Sequence, residues 1–265
     1  STAVVISLRF LAGLALGSTA IASFAADLRM KASTTWAENY SRSASPLDWH
    51  DALLGEASVS TSLRRQLASG LTAGVTADAA ILTSSRYEKL GYATFGVDGQ
   101  LQYKFGLGPF APIVQTDAGI AFKEARVSGD DGLIAKAGVS VSKRFTPAWR
   151  VRVVADWQEH YARNETFDTH SRRLFGELTW DISPRWQLNY GYGRQWADFA
   201  ASASSEVWAK AISGVFGKAI ADYYNTNPTF ETDIYGPGWT SYRAHGQAEL
   251  WWLELSPALT ESTSL

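Results

Sequence analysis

The chain contains no cysteine, which excludes disulfide bridges, thiolate metal sites and cysteine nucleophiles. It also has little excess charge of either sign. The formal net charge of −2 and the pI near 6.1 offer no basic surface, so we expect no nucleic-acid partner. After residue 25 there is no run of about eighteen apolar residues, so the sequence predicts no membrane-spanning helix.

Aromatic residues, in contrast, are abundant. The chain has 11 Trp and 11 Tyr and is 46% hydrophobic, yet its mean hydropathy is only −0.13. Transmembrane β-strands produce such averages because half of each strand is polar, and their aromatic residues form girdles at the two membrane interfaces. A soluble β-sandwich with an aromatic core would also be rich in Trp and Tyr.

Apolar and polar residues alternate along the chain with the period of a β-strand. In the segment 186–196, one face carries Trp186, Leu188, Tyr190, Tyr192 and Trp196, and the other carries Gln187, Asn189, Gly191, Gly193 and Gln195. The segment 92–105 alternates in the same way. We expect the apolar face to contact lipid and the polar face to contact water.

The alternation predicts about ten strands joined by alternately long and short connections. The candidate strands cover 28–36, 57–63, 71–81, 92–105, 114–122, 133–141, 151–157, 174–182, 186–196 and 242–252. We assign the even-numbered residues from Tyr242 to Trp252 to the apolar face. With a periplasmic N-terminus, all the long connections would lie on the outer side of the membrane.

The chain resembles bacterial outer-membrane β-barrel proteins as a broad class. The resemblance rests on the alternating strand Trp186–Trp196, the tight turn at Ser183 and Pro184, and the small residues around Phe24 that end an apolar N-terminal stretch. It implies an all-β fold, a transmembrane antiparallel up-and-down β-barrel in the bacterial outer membrane. It also implies insertion by the barrel-assembly machinery and contact with outer-membrane lipid and lipopolysaccharide.

We interpret residues 1–25 as a signal peptide that lacks its extreme N-terminus, with an anchor helix as the alternative. Residues 26–265 would then form the barrel. We expect about twelve strands in the complete chain, with the last hairpin beyond Leu265; a finished ten-stranded barrel with a short tail is the alternative.

Charged residues on the polar face are the candidates for the lumen lining. They are Asp98, Lys104, Asp117, Lys136, Arg150, Arg152, Asp156, His160, Arg173, Glu177, Arg243, His245 and Glu249. Because the two signs nearly balance, these residues either pair in a structural network or form rings of charge along a polar passage.

The longest connection contains apolar residues at helical spacing, namely Trp208, Ile212, Phe216, Ile220 and Tyr223. We expect an amphipathic helix in an outer loop, over 204–225. It could pack on the barrel rim, fold inward as a lid, or present its aromatic residues to lipopolysaccharide or a partner.

The histidines do not predict a catalytic site. His170 precedes Ser171 directly, whereas residues that share a strand face are two apart. His245 shares a face with Glu249 but lacks a nucleophile, and no cluster has metal-ligand spacing. We therefore expect no catalytic residues, metal or cofactor.

Three functions remain open at this point. The first is a porin-like channel for small polar solutes, and the second is a plugged structural or surface-recognition barrel acting through its outer loops. An outer-membrane lipid-modifying or proteolytic enzyme is a third.

Overall fold

The computed structural model describes residues 3–8, 27–43, 45–205, 228–260 and 263–264. Its strands are β1 (Ala3–Leu8), β2 (Asp27–Ala37), β3 (Ala52–Ala68), β4 (Leu71–Ser84), β5 (Tyr92–Lys104), β6 (Ile113–Ala125), β7 (Gly132–Arg144), β8 (Trp149–Ala162), β9 (Thr169–Ser183), β10 (Trp186–Ser204), β11 (Thr229–Thr232), β12 (Trp239–Thr260) and β13 (Thr263–Ser264). Strands β2 to β12 form the body of one sheet, and the short β1 and β13 pair with β2 and β12.

The topology is an antiparallel up-and-down sheet. Each strand from β2 to β10 pairs with the next strand along the chain, and β12 follows β10 with β11 on its far side. This confirms the all-β class and the ten strands that the alternation predicts. The sequence did not predict the short β11. Among the described residues, no ladder joins β12 to β1 or β2, so the sheet is not closed.

The two faces of the sheet differ in polarity. On β5, Phe95, Val97 and Leu101 are 57%, 50% and 46% exposed, whereas the intervening Asp98 and Gln100 are partly buried. The same alternation continues through the register of the neighbouring strands. The exposed face is therefore apolar and the sheltered face polar, the reverse of a soluble sandwich.

The sheet curls so that the polar face is concave. One cavity is lined by residues of β5, β6, β8, β9, β10 and β12, strands far apart in the sheet order. Small apolar clusters lie at the same end of the sheet. Ala52, Leu54 and Leu82 form one of them, and Ala201 and Tyr242 belong to the other.

Connections at the two ends of the sheet differ in structure. At one end, which we call the loop end, the connections 38–51, 85–91, 126–131 and 163–168 each contain a short 3₁₀ helix. At the other, the turn end, the connections are 69–70, 105–112, 145–148 and 184–185. The connection 105–112 is longer than three of the four at the loop end, so the expected alternation of long and short is only approximate.

The segment that we interpret as a signal peptide contributes a strand. Ala3–Leu8 pairs with β2 at the edge of the sheet. Cleavage after Ala25 stays a prediction. In the described part of the chain, no helix is long and apolar enough to cross a bilayer.

Candidate functional site

The connection between β2 and β3, residues 38–51, forms a compact structure that we call the mouth segment. The Ser41 hydroxyl donates to the Asp48 carbonyl at 2.6 Å, and the Asn39 amide donates to the Ser43 carbonyl at 3.1 Å. The Tyr40 N–H donates to the His50 carbonyl at 2.8 Å. The mouth segment lies outside the strand ladders, and its own hydrogen bonds therefore fix its shape.

The mouth segment reaches across the loop end to β10. The Ser202 N–H donates to the Ser41 carbonyl at 2.9 Å. The Ser204 N–H and hydroxyl each donate to the Asp48 carboxylate at 2.8 Å. Because β2 and β10 are far apart in the sheet, these hydrogen bonds hold the mouth segment across the loop end of the concave face.

A second bridge comes from the turn between β11 and β12, residues 233–238, which we call the lid turn. Asp233 pairs with Lys89 of the β4–β5 connection. The Tyr235 ring stacks on His50 at 5.0 Å with an interplanar angle of 7°. Gly236 and Gly238 have φ angles of 131° and 76°, which explains why glycine occurs at these positions of the turn.

Four aromatic rings meet where the mouth segment and the lid turn touch. We call His50, Tyr87, Tyr235 and Trp239 the aromatic cluster. The Tyr87 hydroxyl and His50 Nδ1 are hydrogen-bonded at 2.8 Å, and the Trp239 ring lies 4.9 Å from His50. Trp239 is only 8% exposed. The cluster therefore joins three connections into one cover over the loop end.

Burial sets the protonation of the cluster. Burial first and the Arg86 charge second lower the pKa of His50 below its ordinary value of 6.5. Burial also raises the pKa values of Tyr87 and Tyr235. All three side chains are therefore neutral at pH 7.

Two cavities lie beneath this cover. The mouth cavity, of 260 Å³, is lined by residues such as Tyr40, Arg42 and Lys123. The inner cavity, of 610 Å³, is lined by Asn39, Arg42, Gln158 and residues of β9, β10 and β12. Arg42 and Thr169 border both cavities.

His160 is one of the predicted inward residues, and it lies on the wall of the mouth cavity. It is 5% exposed, and its Nδ1 lies 3.7 Å from the Asp130 carboxylate, which Lys123 Nζ contacts at 2.7 Å. Its Nε2 has no hydrogen-bond partner among the described residues. The carboxylate nearest to His160 is therefore that of Asp130, in the connection 126–131, whereas Asp156 of the same strand pairs with Arg173. The sequence alone does not show that this connection lies near β8.

Ten of the predicted inward residues share the concave face by register: Asp98, Lys104, Asp117, Lys136, Arg150, Arg152, Asp156, His160, Arg173 and Glu177. Lys136 pairs with Asp98 at 2.8 Å, and Arg173 contacts Asp156 through two nitrogens at 2.8 and 3.0 Å. Within the described ranges, Lys104, Arg152 and Glu177 form no ion pair. Both a charge network and free charges are therefore present on this face.

The expected faces of β12 are wrong. The register pairs Tyr192 with Trp251 and Tyr190 with Leu253, so the odd-numbered residues of β12 lie on the apolar convex face. Arg243, His245 and Glu249 therefore lie on the face opposite to the one expected. The prediction failed because the convex face of β12 is polar near the loop end and apolar only near the turn end.

A polar row interrupts the convex face near the loop end. Asp198 of β10 lies between His170 of β9, with Oδ2 3.2 Å from Nδ1, and His245 of β12, with Oδ1 2.5 Å from Nδ1. The next ladder row holds Trp196 and Gln247, so no hydroxyl or thiol adjoins these histidines on that side. In the described residues, no group of three His, Cys, Asp or Glu could hold a metal ion.

The predicted outer-loop helix, with Trp208, Ile212, Phe216, Ile220 and Tyr223, lies outside the described residues apart from its first two positions. Of those two positions, Ser204 is the last residue of β10 and Ser205 is helical.

No family model matches the chain, and searches of curated proteins and of solved structures found no significant similarity. The functional argument therefore depends on the geometry.

Proposed function

We propose that the protein is an outer-membrane β-barrel that passes small polar solutes through its interior and is closed at its loop end in this conformation. The observation that carries the proposal is the polarity of the sheet, with large apolar side chains exposed on the convex face and charged ones sheltered on the concave face. Exposure of so many apolar side chains is stable in lipid and unstable in water.

The positions of the Trp residues support insertion. Trp149 and Trp180 stack at 5.1 Å near the turn end, and Trp186 begins β10 at the same end. Trp157 and Trp196 occupy the same face towards the loop end. At ~3.3 Å per residue and a ~40° tilt, the separation of Trp186 and Trp196 along β10 is about 25 Å across the membrane, the height of an apolar band.

Transport is favoured over a purely structural role by the interior. Charges without ion-pair partners in the described residues, such as Lys104 and Arg152, are costly in a sealed apolar space and stable beside water. The inner cavity of 610 Å³ shows that the concave side also has open space near the loop end. Solute passage would require the mouth segment and the lid turn to separate.

The test is single-channel conductance of the full chain in a planar bilayer, with the folded state verified by heat-dependent gel mobility. We expect rare openings in the wild type and frequent openings when the cover is weakened by Tyr235→Ala. Tyr161→Ala, an exposed Tyr elsewhere at the loop end, is the control. Silent bilayers for all folded variants would overturn the transport proposal.

A second candidate is a surface-recognition barrel. Leu47 and Trp49 of the mouth segment are 73% and 51% exposed at the loop end. Apolar side chains at such positions are typical of contact surfaces. If the bilayers stay silent and replacement of Trp49 alters surface binding by whole cells, recognition becomes the better account.

A further inference from the structure

Arg42, in the mouth segment, has a strained backbone. Its φ of 53° makes it the only non-glycine residue with a positive φ in the part of the chain that the structure describes. This left-handed conformation is unfavourable for a side chain such as Arg and persists where the surroundings enforce it.

The surroundings of Arg42 enforce the conformation. Its neighbours Ser41 and Ser43 are 2% and 4% exposed. The Ser41 carbonyl accepts from β10, and the Ser43 carbonyl accepts from Asn39 and from the Trp49 indole N–H at 3.1 Å. The backbone on both sides of Arg42 is therefore fixed, and the Arg side chain is directed into the space beneath the cover.

The guanidinium of Arg42 lies between the two cavities. It packs over the Phe199 ring at 5.5 Å, and the residue borders both the mouth cavity and the inner cavity. Phe199 shields one face of the group and leaves its N–H edge available, as in many arginine anion sites.

The other cations near the mouth cavity have acidic partners. Lys123 pairs with Asp130, and Lys89 pairs with Asp233. Arg42 is exposed and has no carboxylate partner among the residues described. In the described part of the structure, it therefore supplies an unpaired positive charge at the junction of the cavities, since the Asp198 carboxylate that lines the inner cavity contacts His170 and His245 instead.

We propose that Arg42 binds the carboxylate or phosphate group of a small organic anion at this junction and makes the passage anion-selective. The inference deepens the proposed function and rests on it for the selectivity, although not for the binding. A planar guanidinium binds both kinds of group through paired, charge-assisted hydrogen bonds. Because water occupies about 30 Å³ per molecule in the liquid, the mouth cavity of 260 Å³ has room for one small solute.

The first experiment measures the reversal potential of the full chain in a KCl gradient. We expect the wild type to favour Cl⁻ and Arg42→Asn to lose most of that preference; Asn tolerates the left-handed backbone and thus preserves the fold. Arg42→Lys should keep part of the preference because it keeps the charge. Arg185→Gln, which removes one charge in the 184–185 turn at the other end, is the matched control. Equal selectivity in the wild type and Arg42→Asn would overturn the inference while conductance itself stands.

The second experiment does not depend on current. Calorimetric titration of the folded protein in detergent with inorganic phosphate, and separately with citrate, should give binding that weakens about tenfold in Arg42→Asn and is unchanged in Arg185→Gln. Binding of citrate alone would identify carboxylates as the ligand class, and binding of phosphate alone would identify phosphates. Equal binding by the wild type and Arg42→Asn, or none by the wild type, would overturn the inference even if no channel opens.

Discussion

Glycines on the concave face make room for charged pairs. Gly119 of β6 lies between Asp98 of β5 and Lys136 of β7, and a Cβ at Gly119 would overlap the Asp98 carboxylate. The 2.8 Å ion pair between Asp98 and Lys136 therefore passes over a residue without a side chain. The sequence shows the alternation that places these residues on one face, but the contact depends on the register of three strands.

The first prediction concerns this pair. Gly119→Ala should lower the free energy of unfolding by about 1–3 kcal/mol because the added methyl group displaces the carboxylate. Gly99→Ala is the control, since the nearest atom to its Cβ would be the Ala118 carbonyl oxygen at 3.8 Å. Urea titration of both variants in lipid vesicles measures the difference. A loss as large for Gly99→Ala as for Gly119→Ala would contradict the account.

The second prediction concerns pH and His50. Because burial lowers the pKa of His50 in the closed cover, the released segment binds a proton more readily than the closed one. Closure is therefore fully stable above the ordinary pKa of 6.5 and loses stability as the pH falls below it.

Hydrogen exchange of residues 233–239, corrected for the intrinsic effect of pH, measures this closure. Exchange should rise below pH 6.5 in the wild type. His50→Phe keeps a ring in the cluster and removes the titration, so its exchange should not respond to pH in this range. The same response in both proteins would exclude His50 as the titrating group.

Among the strands, β12 changes character along its length. On its convex face, Arg243, His245 and Glu249 lie near the loop end, whereas Trp251 and Leu253 lie towards the turn end. Glu249 contacts Arg194 of β10 at 3.1 Å, so the charges at this level are partly paired across strands. The strand thus spans the boundary between an apolar band and a polar rim.

The third prediction separates the two possible faces of β12. Trp251→Arg should destabilise insertion by up to about 2–4 kcal/mol because the charge would face lipid. Leu250→Arg should cost less because Leu250 lies on the concave face, opposite Gly193 and away from lipid. Folding titrations into vesicles compare the two variants. The opposite order would restore the face assignment that the sequence suggested.

The strands with regular alternation could be predicted from the sequence, but the faces of β12 and the existence of β11 could not. Alternation fixes a face only where one set of residues is consistently more apolar, and in β12 the two sets exchange character midway. β11 is short, and its pairing with β12 depends on contacts distant in sequence. The candidate site was mostly unpredictable for the same reason, because Arg42, Asp48 and Asp130 lie in connections whose bonding partners are set by the curl of the sheet.

For the molecule as a whole, closure of the loop end depends on a few contacts between connections. Asp48 is 3% exposed and accepts two hydrogen bonds from Ser204. The lid turn adds the aromatic cluster and the Lys89–Asp233 pair. The strand ladders do not depend on these contacts, so the cover could open while the sheet stays intact.

The fourth prediction is that Asp48→Ala opens the cover without unfolding the sheet. Loss of the buried carboxylate should destabilise closure by about 1–3 kcal/mol and increase exchange of the Ser204 amide. Asp51→Ala is the matched control in the same segment, because its ion pair with Arg86 is exposed and contributes little. Hydrogen exchange compares the two variants. Unchanged exchange at residues 202–204 in Asp48→Ala would show that this contact does not hold the cover.

The central claim is that the convex face contacts lipid and the concave face contacts water. Because the chain has no cysteine, a spin label can be attached at each position from 95 to 104 in turn, through substitutions such as Val97→Cys and Asp98→Cys. In lipid vesicles, the account predicts contact with oxygen at the odd-numbered positions and with a water-soluble nickel complex at the even-numbered ones. Contact with the nickel complex at the odd-numbered positions, or no alternation at all, would contradict it.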